Sequence, residues 1–189
     1  MTDFLSTEFM YIFLDMDGVL NSRKWRISQG LAKTWKPGEH RDISEEMLLI
    51  LKDTIGQCPI ECRIIFTSQG RIGMDEDDYG DYIRGMFNKH GLEIFDVTPN
   101  IDANRTNEIR AYLNTHFANP NAVKFVIIDD EPIYDYCEHQ IKTSYETGLT
   151  ISHVNEITNL MVKIITTEEN KNEHRYDKDA RHRRNSQRP

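Results

Sequence analysis

No run of apolar residues in this chain approaches the roughly 20 that a membrane-crossing helix needs. Met1 to Glu8 also lacks the basic-then-apolar layout of a secretory leader, so a cytoplasmic protein with no membrane partner is expected. Cysteine is scarce. Cys58, Cys62 and Cys137 cannot all pair with one another, and their spacing fits no four-ligand zinc pattern, which leaves free thiols as the expectation. Cationic charge is in deficit too: 23 Lys and Arg against 31 Asp and Glu leave a formal net charge of −8. That balance excludes indiscriminate nucleic-acid binding through the whole surface but permits a local basic patch. The 189 residues, 38% hydrophobic and 29% charged, suffice for one domain with a full core and are short for two.

The apolar residues gather into short runs. Phe9 to Leu14 is continuous and ends in Asp-Met-Asp-Gly, the pattern of a central parallel strand buried on both faces. Arg63 to Phe66, Leu92 to Val97 and Lys124 to Ile128 repeat it, and a further short strand precedes Lys142. Between them Ile43 to Ile55, Asp77 to His90, Asn104 to Phe117 and Ser152 to Ile165 carry apolar residues at three- and four-residue intervals, as amphipathic helices do. Asp42 and Glu45 are placed to form a capping box, and Gly91 to stop the second helix. The alternation predicts an α/β fold, a three-layer α/β/α Rossmann-like sandwich around a mostly parallel sheet. Residues 1–165 form the domain; from Thr166 to Pro189 the chain is almost devoid of apolar residues and is expected to be a disordered polar tail.

Ligands of open α/β sheets bind beyond the carboxyl ends of the strands. Three such ends here carry Asp15 with Asp17, Thr67 with Ser68, and Asp129 with Asp130. A lone Asp after a strand is usually a turn or cap residue. Four carboxylates and two hydroxyls converging on one edge are far more specific. Like charges repel, so a divalent cation is the expected compensator, and all-oxygen ligation favours magnesium.

These residues resemble a known family. Asp15-Met16-Asp17-Gly18-Val19-Leu20 after an apolar strand looks like the first motif of the haloacid-dehalogenase-like (HAD) superfamily, Thr67 like its second, Arg105 like its basic third and Asp129-Asp130 like its acidic fourth. Arg105-Thr106-Asn107-Glu108-Ile109 and Gly148-Leu149-Thr150 extend the similarity to the HAD domains of Swiss army knife RNA-repair proteins. In place of that group's Thr-Ser-Trp-Arg the chain has Thr67-Ser68-Gln69-Gly70-Arg71. The resemblance implies a magnesium-dependent phosphatase. Asp15 is the expected nucleophile, held afterwards as an aspartyl phosphate, and Asp17 the general acid and base. Gly18, Thr67, Ser68 and Arg105 are expected on the phosphate. Magnesium is expected between Asp15, the backbone carbonyl of Asp17 and Asp129, with Asp130 holding its water. Lys142 is the alternative to Arg105.

Neither Asn21 to Arg41 nor Ile72 to Thr98 is long enough for a true cap domain, so the site is expected to be capless or minimally capped and open to large substrates. Asn21 to Arg41 holds both tryptophans, Trp25 and Trp35, among Arg23, Lys24, Arg26, Lys33, Lys36 and Arg41. Bases stack on tryptophan while cations meet phosphates, so Trp25, Trp35, Arg26 and Arg71 are candidate contacts to a nucleic-acid end. A partly ordered flap whose tryptophans pack on the core is the other reading. A phosphate-ester substrate is expected in either case. The alternatives are a small-molecule (nucleotide or sugar) phosphatase and a non-catalytic phosphate-binding interaction module; retention of both Asp15 and Asp17 speaks against the second. A phospho-receiver domain would carry its acidic pair on the first strand and its acceptor mid-chain, which is not the order here.

Overall fold

A computed structural model of the chain describes residues 4–31, 43–68 and 78–185, with side chains described through residue 168. Five strands, β1 (Met10–Leu14), β2 (Cys62–Phe66), β3 (Ile94–Val97), β4 (Lys124–Asp129) and β5 (Gln140–Lys142), form one sheet in the order β3-β2-β1-β4-β5. Every pair is parallel, and β1 lies between β2 and β4. Both faces of β1 are therefore covered, which is why all five of its residues are apolar and fully buried instead of alternating with polar ones.

The period of two sorts the strand side chains into two cores. Met10, Ile12, Leu14, Ile64, Phe66, Val126 and Ile128 meet one helical layer: α2 (Glu45–Gly56) through Leu48 and Leu51, α3 (Asp78–Lys89) through Ile83 and Phe87, and α5 (Ile151–Asn185) through Ile157 and Met161. Tyr11, Phe13, Ile65, Phe125 and Ile127 meet α4 (Arg105–His116) through Ile109, Tyr112 and Leu113. The three-layer α/β sandwich expected from the alternation is the fold found. No helix among the described residues is long and apolar enough to cross a membrane.

The helix ends follow local chemistry. Ser44, not Asp42, caps α2, accepting from the Met47 amide; Glu45 is thereby the first helical residue, and its carboxylate takes Lys89 at 2.6 Å instead of closing a capping box. At the end of α3, Gly91 has φ +70° and Leu92 N–H donates to Phe87 O at 3.0 Å, a left-handed stop that a side chain disfavours. A short helix that periodicity did not foretell, α1 (Arg23–Ser28), opens the first insertion, capped by Ser22. The backbone of α5 continues as helix to Asn185, through the stretch expected to lack order. That stretch has no Gly or Pro until Pro189 and is rich in Glu, Lys and Arg, so local propensity favours helix. Residues 32–42 and 69–77, which include parts of both insertions, lie outside the described residues, and Trp35 and Arg71 with them.

Candidate active site

The site lies at the carboxyl ends of β1 and β4, the two central neighbours. Asp15 follows β1 directly and its N–H donates to Ile128 O at 3.0 Å, which ties it to the adjacent strand. The chain then turns sharply: the N–H groups of Val19, Leu20 and Asn21 all point at Met16 O. Gly18 makes that turn with φ +69°, and any Cβ there would overlap the Asp130 carboxylate, so glycine is required for conformation and for space. Thr143, after β5, clamps the turn by donating its hydroxyl to Gly18 O at 2.7 Å, while its own N–H donates to Asp129 O at 3.0 Å. The Gly148-Leu149-Thr150 motif returns to the same loop through Leu149 N–H on Val19 O at 2.8 Å.

Carboxylate oxygens of Asp15, Asp129 and Asp130 lie within 4.8 Å of one another. Asp15 and Asp129 are 6% and 1% exposed. Burial, which penalises the charged form, pushes Asp15 up to about 7; Arg105 opposes the shift, and Asp129 and Asp17 add to it. Burial raises Asp129 as well, and burial with the neighbouring Asp129 and Glu131 charges raises Asp130 to about 6. Three crowded carboxyl groups that hold protons too tightly, all hard oxygen donors, suit a magnesium ion. Asp15, Asp129 and Asp130 would hold it.

Arg105, the first residue of α4, bridges the cluster. Its Nη2 donates to Asp15 Oδ1 at 2.9 Å and its Nε to Asp129 Oδ2 at 3.0 Å, while Nη1 lies 3.5 Å from the buried Glu108. Lys142 stands opposite Asp129 in the β4–β5 register, but its side chain is exposed and makes no ion pair among the described residues. The geometry thus puts Arg105, not Lys142, on the carboxylates. Thr67 and Ser68, buried just past β2, complete the strand-end trio, with Thr67 N–H on Leu14 O at 2.9 Å.

Asp17 is placed differently. Its carboxylate has its own partners outside the acidic trio: Oδ1 accepts from Arg26 Nη2 at 2.6 Å and from Asn21 Nδ2 at 3.0 Å. Arg26 is 5% exposed and so does not stand among free cations awaiting a phosphate backbone. Trp25 is partly buried and packs on the larger core, and Arg23 pairs with Glu146. Asn21, Thr143 and this role of Arg26 were not read from the sequence. The available signal was an Asn four residues after Asp17, the reach of one helical turn.

A cavity of about 610 Å³ lies elsewhere, between α4 and α5, lined by Leu113, Phe125, Tyr136 and His139 among others. It contains none of the acidic trio. A cleft of about 440 Å³ has Arg105 on its wall and is rimmed by Glu131 and Tyr134, the latter 81% exposed.

A parallel sheet with its central strand ending in Asp-x-Asp and the neighbouring strand in Asp-Asp defines the haloacid-dehalogenase-like class of phosphohydrolases. Within it, the model of the HAD domain in Swiss Army Knife RNA repair proteins matches residues 11–154, and the chain belongs to that family. Neither the curated proteins nor the solved structures gave a match.

Proposed function

We propose that the chain is a magnesium-dependent phosphatase that hydrolyses phosphate monoesters through an aspartyl-phosphate intermediate, acting on nucleic-acid ends. The observation that carries this reading is the convergence of Asp15, Asp129 and Asp130 within 4.8 Å, bridged by Arg105. Asp15 attacks phosphorus in line and forms an acyl phosphate. Asp17 protonates the leaving oxygen, then accepts a proton from the water that cleaves the acyl phosphate. Arg105, which donates to Asp15, neutralises charge on the equatorial oxygens, and Thr67 donates to one of them. Magnesium, when bound, supplies neutralisation of the carboxylate trio and of the phosphoryl group.

The nucleic-acid end is favoured by family membership and by the open cleft beside Arg105. A small-ester substrate, a mononucleotide or sugar phosphate, is the second reading, and a specific observation favours it: Trp25 packs on the core and Arg26 on Asp17, so two of the four candidate strand contacts face inward. Comparing turnover of a phosphate-ended oligonucleotide with that of the matching mononucleotide decides between them. On the first reading kcat/KM is higher for the oligonucleotide and falls steeply with salt. Trp25→Ala then weakens oligonucleotide binding by about 1–3 kcal/mol. Equal losses on both substrates with earlier melting would make Trp25 a packing residue and favour the small ester.

A further inference from the structure

We infer that Arg26 is the positioning residue of Asp17, anchoring one carboxylate oxygen so that the other is the one that carries the proton. The inference rests on the reading of Asp17 as general acid and base. The two oxygens of this carboxylate have different surroundings. Oδ1 accepts from both Arg26 and Asn21, whereas Oδ2 accepts from no described residue, and the side chain is 51% exposed. Shuttling a proton needs that asymmetry: a carboxyl group free to rotate presents its proton in many directions, while one oxygen held by two donors fixes where the other points.

The holding side is built to be rigid. Ser22 caps α1 immediately after Asn21, accepting from Trp25 N–H at 3.2 Å, and Arg26 N–H donates to Ser22 O at 2.9 Å. The guanidinium is thereby returned one helical turn later beneath the loop it anchors. Asn21 is held in turn, its Oδ1 facing Gly18 N–H at 3.4 Å. Arg26 is buried although its Nε has no hydrogen-bond partner among the described residues, so Asp17 is its only described ion-pair partner. Burying a cation with one donor unsatisfied is costly, and a geometric requirement at Asp17 gives that cost a function.

The proton path balances. Protonated Oδ2 gives its hydrogen to the ester oxygen as the P–O bond breaks and Asp15 becomes phosphorylated. The resulting Asp17 carboxylate takes a proton from water as that water attacks phosphorus and frees Asp15. One ester and one water give one alcohol and one phosphate, and Oδ1 stays with Arg26 throughout.

The test compares Arg26→Ala and Arg26→Lys, alone and with Asp17→Asn, on an alkyl phosphate and on nitrophenyl phosphate with magnesium. The alkyl ester needs a proton on its leaving oxygen and the nitrophenyl ester does not. Arg26→Ala is expected to slow the alkyl ester roughly tenfold more than the nitrophenyl ester, Arg26→Lys to recover part of that difference, and Arg26→Ala to add no further discrimination once Asp17 is Asn. Equal slowing of both esters, or the same discrimination in the Asp17→Asn background, would overturn the inference. Thermal melting of the same four-corner set in chelator reads the contact without turnover: coupled shifts uphold the anchoring and additive shifts overturn it. If the wild type cleaves neither ester, the phosphatase reading falls, and the melting cycle still decides whether Arg26 anchors Asp17.

Discussion

Asp15 and Asp17 are the same residue type two positions apart, yet the fold gives them opposite surroundings. Asp15 is 6% exposed, beside two more carboxyl groups and under Arg105; the Asp17 side chain is half exposed and held by Arg26 and Asn21. On the proposed mechanism the strand end buries the nucleophile among charges, and the loop beyond it keeps the proton carrier in reach of solvent. Environment, not residue identity, divides the two roles.

The largest effect expected from breaking this division comes at the buried member. Asp15→Asn should remove at least ~3 kcal/mol of transition-state stabilisation, more than two orders of magnitude in rate, while the circular dichroism spectrum stays close to wild type. Near-normal turnover would reverse the assignment. Asp17→Asn should slow alkyl esters by about two orders of magnitude or more and activated aryl esters much less. A loss independent of leaving group would take the acid role away from Asp17.

The turn that separates the two carboxylates gives the next test. Gly18→Ala places a Cβ into the Asp130 carboxylate at a left-handed φ, so a loss of about 1–3 kcal/mol in stability and a raised magnesium requirement are expected together. Stability lost without any change in the magnesium titration would detach Asp130 from the ion.

The smallest effect sharpens the electrostatic side of the comparison. Asp15 and Asp130 titrate in the folded protein near about 7 and about 6, above the ordinary aspartate value of about 4. A raised folded pKa means that the folded state holds protons more tightly than the unfolded chain. The stability this contributes is present in full below about pH 4 and is lost as pH rises through about 6 and 7. In chelator the melting temperature should therefore fall by several degrees between pH 5 and pH 8, and magnesium should restore it at pH 8 far more than at pH 5. Asp15→Asn should flatten the fall. A flat profile in the wild type would mean that the cluster does not carry the strain its burial implies.

Much of this site was legible because its signals are local. A strand covered on both faces is a continuous apolar run, so Phe9 to Leu14 and Lys124 to Ile128 announced the central strands to within a residue, and the polar residues after them had to fall on one edge. Helices were located by period, with ends misjudged where a cap decided them, as Ser44 did for α2.

Long-range choices were not legible. Arg105 was expected and Lys142 remained its alternative in one dimension, and a contact spanning 90 residues, Arg105 on Asp15, separated them. Arg26 read as a surface cation among others because charge patterning carries no information on burial; only the placement of α1 under the loop turned it inward onto Asp17. By itself the sequence determined which chemistry gathers at the sheet edge, since strand period and strand end are properties of neighbouring residues. The tertiary structure decided which cation serves which carboxylate, because that depends on how separate helices pack against the sheet and on what the packing shuts away from water.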